Sequence, residues 1–208
     1  MAITYPLALP TATGIAKITL RTLNSVSVAR SPFTYKEQVV SHIGKRWEAD
    51  ITLPAMQEAD AEIWISFLLS LKGQEGTFLL GDPIGATPRG SAATAPGTPL
   101  VQSSTTSSIR IKGMPGDVTG YLKAGDYIQL GSGSGSKLFK VLADVDSNSS
   151  GSGTAEVWPN VVSSPSLNDP VTVSNAKGVF RLSSNASEWN INEASFYGIS
   201  FSAIQAIA

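Results

Sequence analysis

The sequence predicts a mainly β protein with one α-helix and a second, smaller β unit inserted near its middle. Apolar and polar residues alternate over much of the chain, which is the two-residue period of strands with one buried face. The period changes to three and four residues once, over 57–71, which indicates a helix. A stretch rich in Gly, Ala, Thr and Pro, over 85–100, has the composition of a linker and separates two groups of strands.

Three strands are predicted before the helix. Alternation over 15–29 gives the first strand, and Pro32 separates it from a second strand that covers 33–39. A turn is predicted where His42 and Ile43 precede Gly44. The third strand has the clearest alternation in the chain, and its predicted buried face consists of Trp47, Ala49, Ile51 and Leu53.

Residues 57–71 form the predicted helix. Its apolar positions are Ala59, Ile63, Phe67, Leu68 and Leu71. Acidic residues occupy the first turns, where the helix dipole favours negative charge, and Gly73 lies where a left-handed C-cap is expected. We therefore expect the helix to pack on the sheet through Ile63, Phe67 and Leu71, which together with Trp47, Ile51 and Leu53 make the predicted core.

Residues 86–175 are predicted to be an inserted small β-barrel, because short strands alternate there with long turns. Its candidate strands cover 108–112, 127–130, 137–145, 154–157 and 171–173. Strands at 179–182, 188–191 and 196–204 follow the insert. The predicted organisation is thus a discontinuous β domain, made of 1–85 and 176–208, that carries the barrel.

Composition excludes several classes of protein. The chain has no cysteine, which rules out disulfides and thiolate metal sites. Its 15 Lys and Arg residues are balanced by 16 Asp and Glu, so we expect no nucleic-acid binding site, and no apolar run is long enough for a membrane segment. Charged residues make up only 15% of the chain, below the usual quarter, and this favours a surface that is buried between subunits.

Catalytic patterns are weak, and we predict no catalytic residue. His42 is the single histidine, so any Ser-His-acid triad would have to use it, and the Gly-x-Ser-x-Gly pattern is missing. Glu156 beside Trp158 is the best candidate for a glycosidase carboxylate, although a strand acid next to a packed aromatic residue explains it more simply. The glycine-rich 131–136 segment precedes no helix, so a hairpin tip is favoured over a phosphate-binding loop.

Metal sites and cofactor sites are not expected either. Asp144, Asp146 and Asn148 have the spacing of the first three ligands of a calcium loop. The glycine and the glutamate that such a loop needs are replaced by Ser149 and Ala155, and a polar turn accounts for the same residues.

Four tryptophans leave a sugar-binding alternative open. Trp47 and Trp64 fall on predicted buried faces, where aromatic residues normally pack, whereas Trp158 and Trp189 lie beside turns and are freer to contact a ligand. Two alternative functions therefore stand beside a structural one: a carbohydrate-binding module and an enzyme that degrades cell-wall polymers.

The stretch 31–83, SPFTYKEQVVSHIGKRWEADITLPAMQEADAEIWISFLLSLKGQEGTFLLGDP, resembles the core of the distal tail proteins of long-tailed bacteriophages. GYLKAGDYI at 120–128 is similar to the strand entry of small barrels in phage tails, and 180–207 is similar to the closing strands of the same family. The resemblance implies a discontinuous ring-forming domain of β-sandwich or tube type with one helix, carrying a barrel that is oligonucleotide-fold-like.

The same resemblance implies a virion structural protein with no enzymatic activity. It would be made in the host cytoplasm and located at the tail tip, as a homohexameric ring. Its partners would be further copies of itself, the tail-tube protein, the tail-tip hub and receptor-binding proteins attached to the barrel.

Overall fold

The computed structural model describes residues 3–193 and 195–207, and over these residues the protein is mainly β with one α-helix. The predicted fold class is therefore confirmed at this level. In chain order the elements are β1 (Lys17–Arg30), β2 (Glu37–Thr52), α1 (Glu58–Ser70), β3 (Phe78–Leu80), β4 (Leu100–Ser104), β5 (Ser108–Lys112), β6 (Tyr127–Leu130), β7 (Lys137–Val141), β8 (Gly153–Trp158), β9 (Val171–Thr172), β10 (Gly178–Leu182), β11 (Trp189–Ile191) and β12 (Tyr197–Gln205).

The first sheet joins strands from both ends of the chain, in the order β1-β2-β12-β10-β3, with β11 also paired to β12. Its central strand, β12, pairs with β2 from Ser200↔Thr52 to Ile204↔Glu48. Leu7 forms a parallel bridge with Phe78 and covers the outer edge of β3 at that point. The described parts of 1–85 and 176–208 thus contribute to one sheet.

Helix α1 packs on this sheet through an aromatic cluster. The Phe67 ring meets Trp64 and Phe78 edge-on, at centroid distances of 5.9 and 5.7 Å, and Phe201 of β12 extends the cluster. From the helix and its C-cap, the buried residues are Ala61, Trp64, Ile65, Phe67, Leu68 and Leu71. The same core contains four buried residues from β2 and the residue after it: Trp47, Ala49, Ile51 and Leu53.

The expected core position of Ile63 is wrong, because its side chain is 47% exposed. The other five predicted core residues are buried. Ala59, expected on the same face as Ile63, is also exposed. Apolar residues occur on every side of α1, so the helix could turn either of two faces toward the sheet. The face that buries Trp64 and Ile65 removes more apolar surface from water than the face with Ile63.

Strands β1 and β2 form one long hairpin. The turn predicted at His42–Gly44 is a β-bulge instead: Asn24 pairs with Lys45 and Val26 with Ser41, so three residues of β2 lie opposite Ser25. The strand predicted from residue 33 is also wrong in its first part, because 33–35 belong to the loop that connects β1 to β2. A bulge and a turn use similar residues, which is why composition alone does not separate them.

The second sheet is a nearly closed barrel with the order β4-β5-β8-β7-β6-β9. A bridge between Leu100 and Pro170 and a hydrogen bond from Val101 N to Asp169 O bring β4 back beside β9. Strands β5 and β6 have the predicted bounds, and the strand predicted to end at residue 145 ends at Val141. Strand β4 was not predicted.

The linker predicted over 85–100 is a packed part of the barrel. Ala92 is fully buried in the barrel core, and its N–H donates to the Tyr121 carbonyl at 3.0 Å. A Cβ atom added to Gly90 would lie 2.3 Å from the same Tyr121 oxygen. The glycine-rich composition reflects this close approach of two backbones rather than flexibility.

The barrel is seated on the first sheet through Trp47. The Trp47 Nε1–H donates to the Leu138 carbonyl of β7 at 3.1 Å, and its ring meets that of Trp158 edge-on, with the centroids 4.5 Å apart. The two chain crossings are adjacent, since Asn175 N donates to Ala86 O at 2.6 Å. The inserted residues therefore leave and re-enter the first unit at one place.

Candidate assembly surface

Beyond Asn24 and Lys45 the β1–β2 hairpin projects past the rest of the first sheet. We call residues 25–44 the distal hairpin. Strand β12 pairs with β2 only as far as Glu48, so the distal hairpin is a two-stranded ribbon. Within the described residues, β1 pairs with no strand other than β2, and its outer edge is free over its whole length.

Large apolar side chains cover the projecting hairpin. Val28 lies directly opposite Val39, and Val26 lies two residues along on the same face, which gives an apolar stripe. The exposed fractions of these large apolar side chains range from 45% to 91%. The set consists of Val26, Val28, Phe33, Tyr35, Val39, Val40 and Ile43.

The distal hairpin carries little of the usual protection of a free strand edge, because its bulge lies at its base, opposite Ser25, and its proline, Pro32, lies in the loop between the strands. Natural edges carry lysines, inward-pointing charges, prolines or very short strands, because unpaired N–H and C=O groups otherwise recruit other chains. Arg30, Lys36 and Glu37 are the only residues of the distal hairpin with Lys, Arg, Asp or Glu side chains, and Arg30 and Glu37 neutralise each other in an ion pair. An exposed apolar ribbon of this kind is a candidate interaction surface.

This surface was not found from the sequence. Alternating apolar and polar residues predict a strand with one face in a core and the other in water. The distal hairpin instead has exposed apolar residues on both faces. One feature of the sequence indicates such a surface. Val39 and Val40 are adjacent and therefore lie on opposite faces of one strand, and Ile43 follows them in a stretch with little charge.

The candidate catalytic residues lie on strand surfaces. His42 is exposed in the distal hairpin, and Glu156 is exposed on β8 opposite Ser108. The 131–136 segment connects antiparallel β6 and β7 through a short 3-10 turn, as expected of a hairpin tip. No sequence-predicted catalytic constellation is assembled from these residues.

The residues with calcium-loop spacing are engaged by protein donors. Asp144 accepts from Lys123 Nζ at 2.8 Å, Asp146 accepts from Gly120 N at 2.6 Å, and Asn148 Oδ1 caps the turn that follows it. Among the residues that the structure describes, no three His, Cys, Asp or Glu side chains form a group that could hold a metal ion.

The four tryptophans are not brought together on one surface. Trp47 and Trp64 are buried, and Trp158 is half-buried against Trp47 while its Nε1–H donates to Asn24 Oδ1 at 2.9 Å. Trp189 is the most exposed, on β11. Trp47 and Trp158 are in contact, but Trp47 and Trp64 are buried, so the four rings do not form an exposed sugar-stacking platform.

The GYLKAGDYI segment stabilises the barrel. The buried Asp126 carboxylate accepts from the backbone N–H of Lys123 at 2.8 Å and from that of Arg89 at 3.1 Å. Tyr121 is fully buried, and its hydroxyl donates to the Pro96 carbonyl at 2.6 Å. Burial disfavours the phenolate and raises the pKa of Tyr121 to about 12.

Alkaline pH is therefore expected to weaken the barrel. A raised folded-state pKa means that the stability from neutral Tyr121 is complete below about pH 10, the unfolded value, and is lost as the pH rises toward 12. Tyr121→Phe loses the hydrogen bond to Pro96 at neutral pH, so its urea midpoint should be lower at pH 8. The difference from the parent should shrink between pH 8 and 11; a constant difference would contradict this assignment.

Comparison with protein-family models and with curated protein sequences gives no match. In the part of the chain that the structure describes, no helix is both long enough and apolar enough to cross a membrane.

Proposed function

We propose that the protein is a virion structural subunit, the distal tail protein of a long-tailed bacteriophage, which forms a ring between the tail tube and the tail tip. The distal hairpin is the observation that carries this proposal. It offers an unprotected strand edge and a continuous apolar ribbon, and a neighbouring subunit that covers them would satisfy both.

The layout of the first sheet supports a ring. One side of the sheet ends in the free edge of β1, whereas the other side ends in β3 and β11, so the two lateral surfaces differ. Association of unlike surfaces is heterologous, and such contacts close into a ring when the rotation between subunits is a fraction of a full turn. A homohexamer with a β-sandwich or tube-type domain is the assembly that we propose.

The remaining surfaces suit the proposed neighbours. One face of the ring would stack on the tail-tube protein and the other would meet the tail-tip hub. The barrel, oligonucleotide-fold-like in this proposal, is fixed to the first sheet through Trp47 and Trp158, and it would act as an outward spacer or as an attachment point for receptor-binding proteins.

A shortened hairpin tests this proposal. Replacing residues 25–44 with Asn-Gly leaves Asn24 opposite Lys45 across a two-residue turn, a favoured hairpin connection. We expect the full chain to form larger species as its concentration rises, measured by light scattering after size exclusion. The shortened chain should stay monomeric with an unchanged far-UV circular dichroism spectrum outside the hairpin contribution. The same oligomeric state for both chains at every concentration would contradict the assembly role of the hairpin.

A further inference from the structure

The hairpin tip, residues 31–36, holds two aromatic side chains away from the protein. Phe33 is 91% exposed and Tyr35 is 74% exposed. The loop around them is ordered by hydrogen bonds: Ser31 N donates to Lys36 O at 3.0 Å, and Tyr35 N donates to Ser31 O at 2.9 Å. Exposed aromatic residues on a pre-organised loop lose little conformational entropy when they bind, which favours them as interface anchors.

The backbone of Tyr35 adds a second observation. Its φ is 55°, in the left-handed region that a residue with a bulky side chain rarely adopts. The two flanking hydrogen bonds to Ser31 hold it there. Backbone outliers of this type persist where the surroundings fix them, and they concentrate at functional sites.

A notch of about 500 Å³ interrupts the opposite side of the first sheet. On the side of β12 away from β2, residues 203–205 pair with β10 and residues 197–199 pair with β11. Residues 200–202, between these two pairings, face the loop 183–188 on that side. Ile51, Leu68 and Phe201 contribute the apolar part of its wall. Leu182 and Ala186 also lie at the wall, and serines, Thr52 and the carboxylates of Asp50 and Glu188 line the rest.

The notch is of a suitable size and charge for the tip. Its volume lies in the range of about 300–1,000 Å³ typical of sites that enclose a small organic group. Serine hydroxyls around an apolar wall suit the phenol of Tyr35. Within the described residues, neither Lys36 of the tip nor Glu188 of the notch has an ion-pair partner, and their charges are opposite.

A tip cannot occupy the notch of its own chain in this conformation. The tip adjoins Glu37 and the notch includes Asp50, so they lie at opposite ends of β2. A strand rises about 3.3 Å per residue, which separates the two by roughly 40 Å. Any tip that fills the notch must come from another molecule.

We propose that the hairpin tip of one copy inserts Phe33 and Tyr35 into the notch of a second copy of this chain. This inference rests on the proposed function, because it names the surface that receives the distal hairpin in the assembly. The contact joins the β1 side of one copy to the β10–β11 side of the next, so it is heterologous and suits a ring.

Engineered cysteines test the contact directly, because the chain has no cysteine of its own. Thr34→Cys places a thiol between the two aromatic residues, and Ser184→Cys places one at the notch. When the two single variants are mixed and oxidised, a disulfide-linked heterodimer should form. The matched control mixes Thr34→Cys with Ser164→Cys on the barrel, which is equally exposed, and should give at most about a tenth of that product.

Loss of the aromatic anchors should slow the reaction. Adding Phe33→Ser and Tyr35→Ser to the Thr34→Cys variant is expected to reduce the heterodimer yield about tenfold, as for truncation of interface hot spots. Leu167→Ser removes an exposed apolar side chain of the barrel and should leave the yield unchanged.

The outcomes separate this inference from the proposed function. One outcome would overturn the notch contact and leave the assembly role standing: the heterodimer yields with Ser184→Cys and Ser164→Cys are equal, while the chain still forms hairpin-dependent oligomers. Equal yields in a chain that stays monomeric at every concentration would overturn both.

Discussion

Replacing Phe67 with alanine is expected to lower the free energy of unfolding by about 3–5 kcal/mol. Phe67 is 7% exposed and packs edge-on against Trp64 of α1 and Phe78 of β3. Its ring therefore connects the helix to the sheet. Truncation removes most of the apolar area of the side chain and leaves a cavity that fixed neighbouring rings cannot fill. The measurement is urea denaturation followed by circular dichroism, with the slope compared between variants to check that unfolding stays cooperative.

The helix supplies its own control. Ile63→Ala truncates a large apolar side chain of the same helix that is 47% exposed, and we expect it to cost less than about 1 kcal/mol. Similar losses for Ile63 and Phe67 would mean that the other phase of the helix faces the sheet. A loss below about 1 kcal/mol for Phe67→Ala would contradict its place in the core.

Replacing residues 86–175 with a short Gly-Ser loop is expected to leave a folded but less stable first unit. Ala86 and Asn175, the first and last residues of the replaced segment, are hydrogen-bonded to each other, so the flanking Gly85 and Ala176 lie close together and a short loop joins them at little entropic cost. The cost comes from Trp47, which loses the Leu138 carbonyl and the Trp158 ring and becomes exposed. The shortened chain should melt cooperatively, at a lower temperature than the parent.

Trp47→Thr provides the matched comparison. In the full chain it should cost about 3–5 kcal/mol, the range for truncation of a buried tryptophan. In the shortened chain the same substitution should cost much less, because the contacts of Trp47 with the barrel are already gone. It should also improve the solubility of that chain, because it removes the exposed Trp47 ring. An unfolded or insoluble product in both shortened chains would show instead that the two sheets share one indivisible core.

The sequence predicted those elements whose two faces differ. The strand with Trp47, Ile51 and Leu53 buries one face in the core that it shares with α1 and Leu138 of the barrel, so its apolar and polar residues alternate and its buried face was predicted correctly. The phase of α1 was missed at Ile63 because both faces of the helix are apolar. The segment with Gly90 has the composition of a linker although it packs on the barrel, because close packing of backbones and flexibility favour the same small residues.

The assembly surface could not be predicted by the same rule. Periodicity indicates a boundary between a core and water, and the large apolar side chains of the distal hairpin are exposed instead of packed in either core of the described residues. Val28 and Val39 look like ordinary strand residues in sequence, whereas in the structure both side chains are more than half exposed and β12 pairs with β2 only as far as Glu48. The notch likewise depends on where β10 and β11 end along β12.

The most direct measurement of the central claim is the position of this chain in an assembled particle. Electron microscopy of tailed virions labelled with an antibody against the barrel should place the label in a ring where the tail tube meets the tail tip, and the hairpin-shortened chain should be missing from that ring. Label elsewhere in the particle, or a free monomer that turns over polysaccharide, would contradict the account.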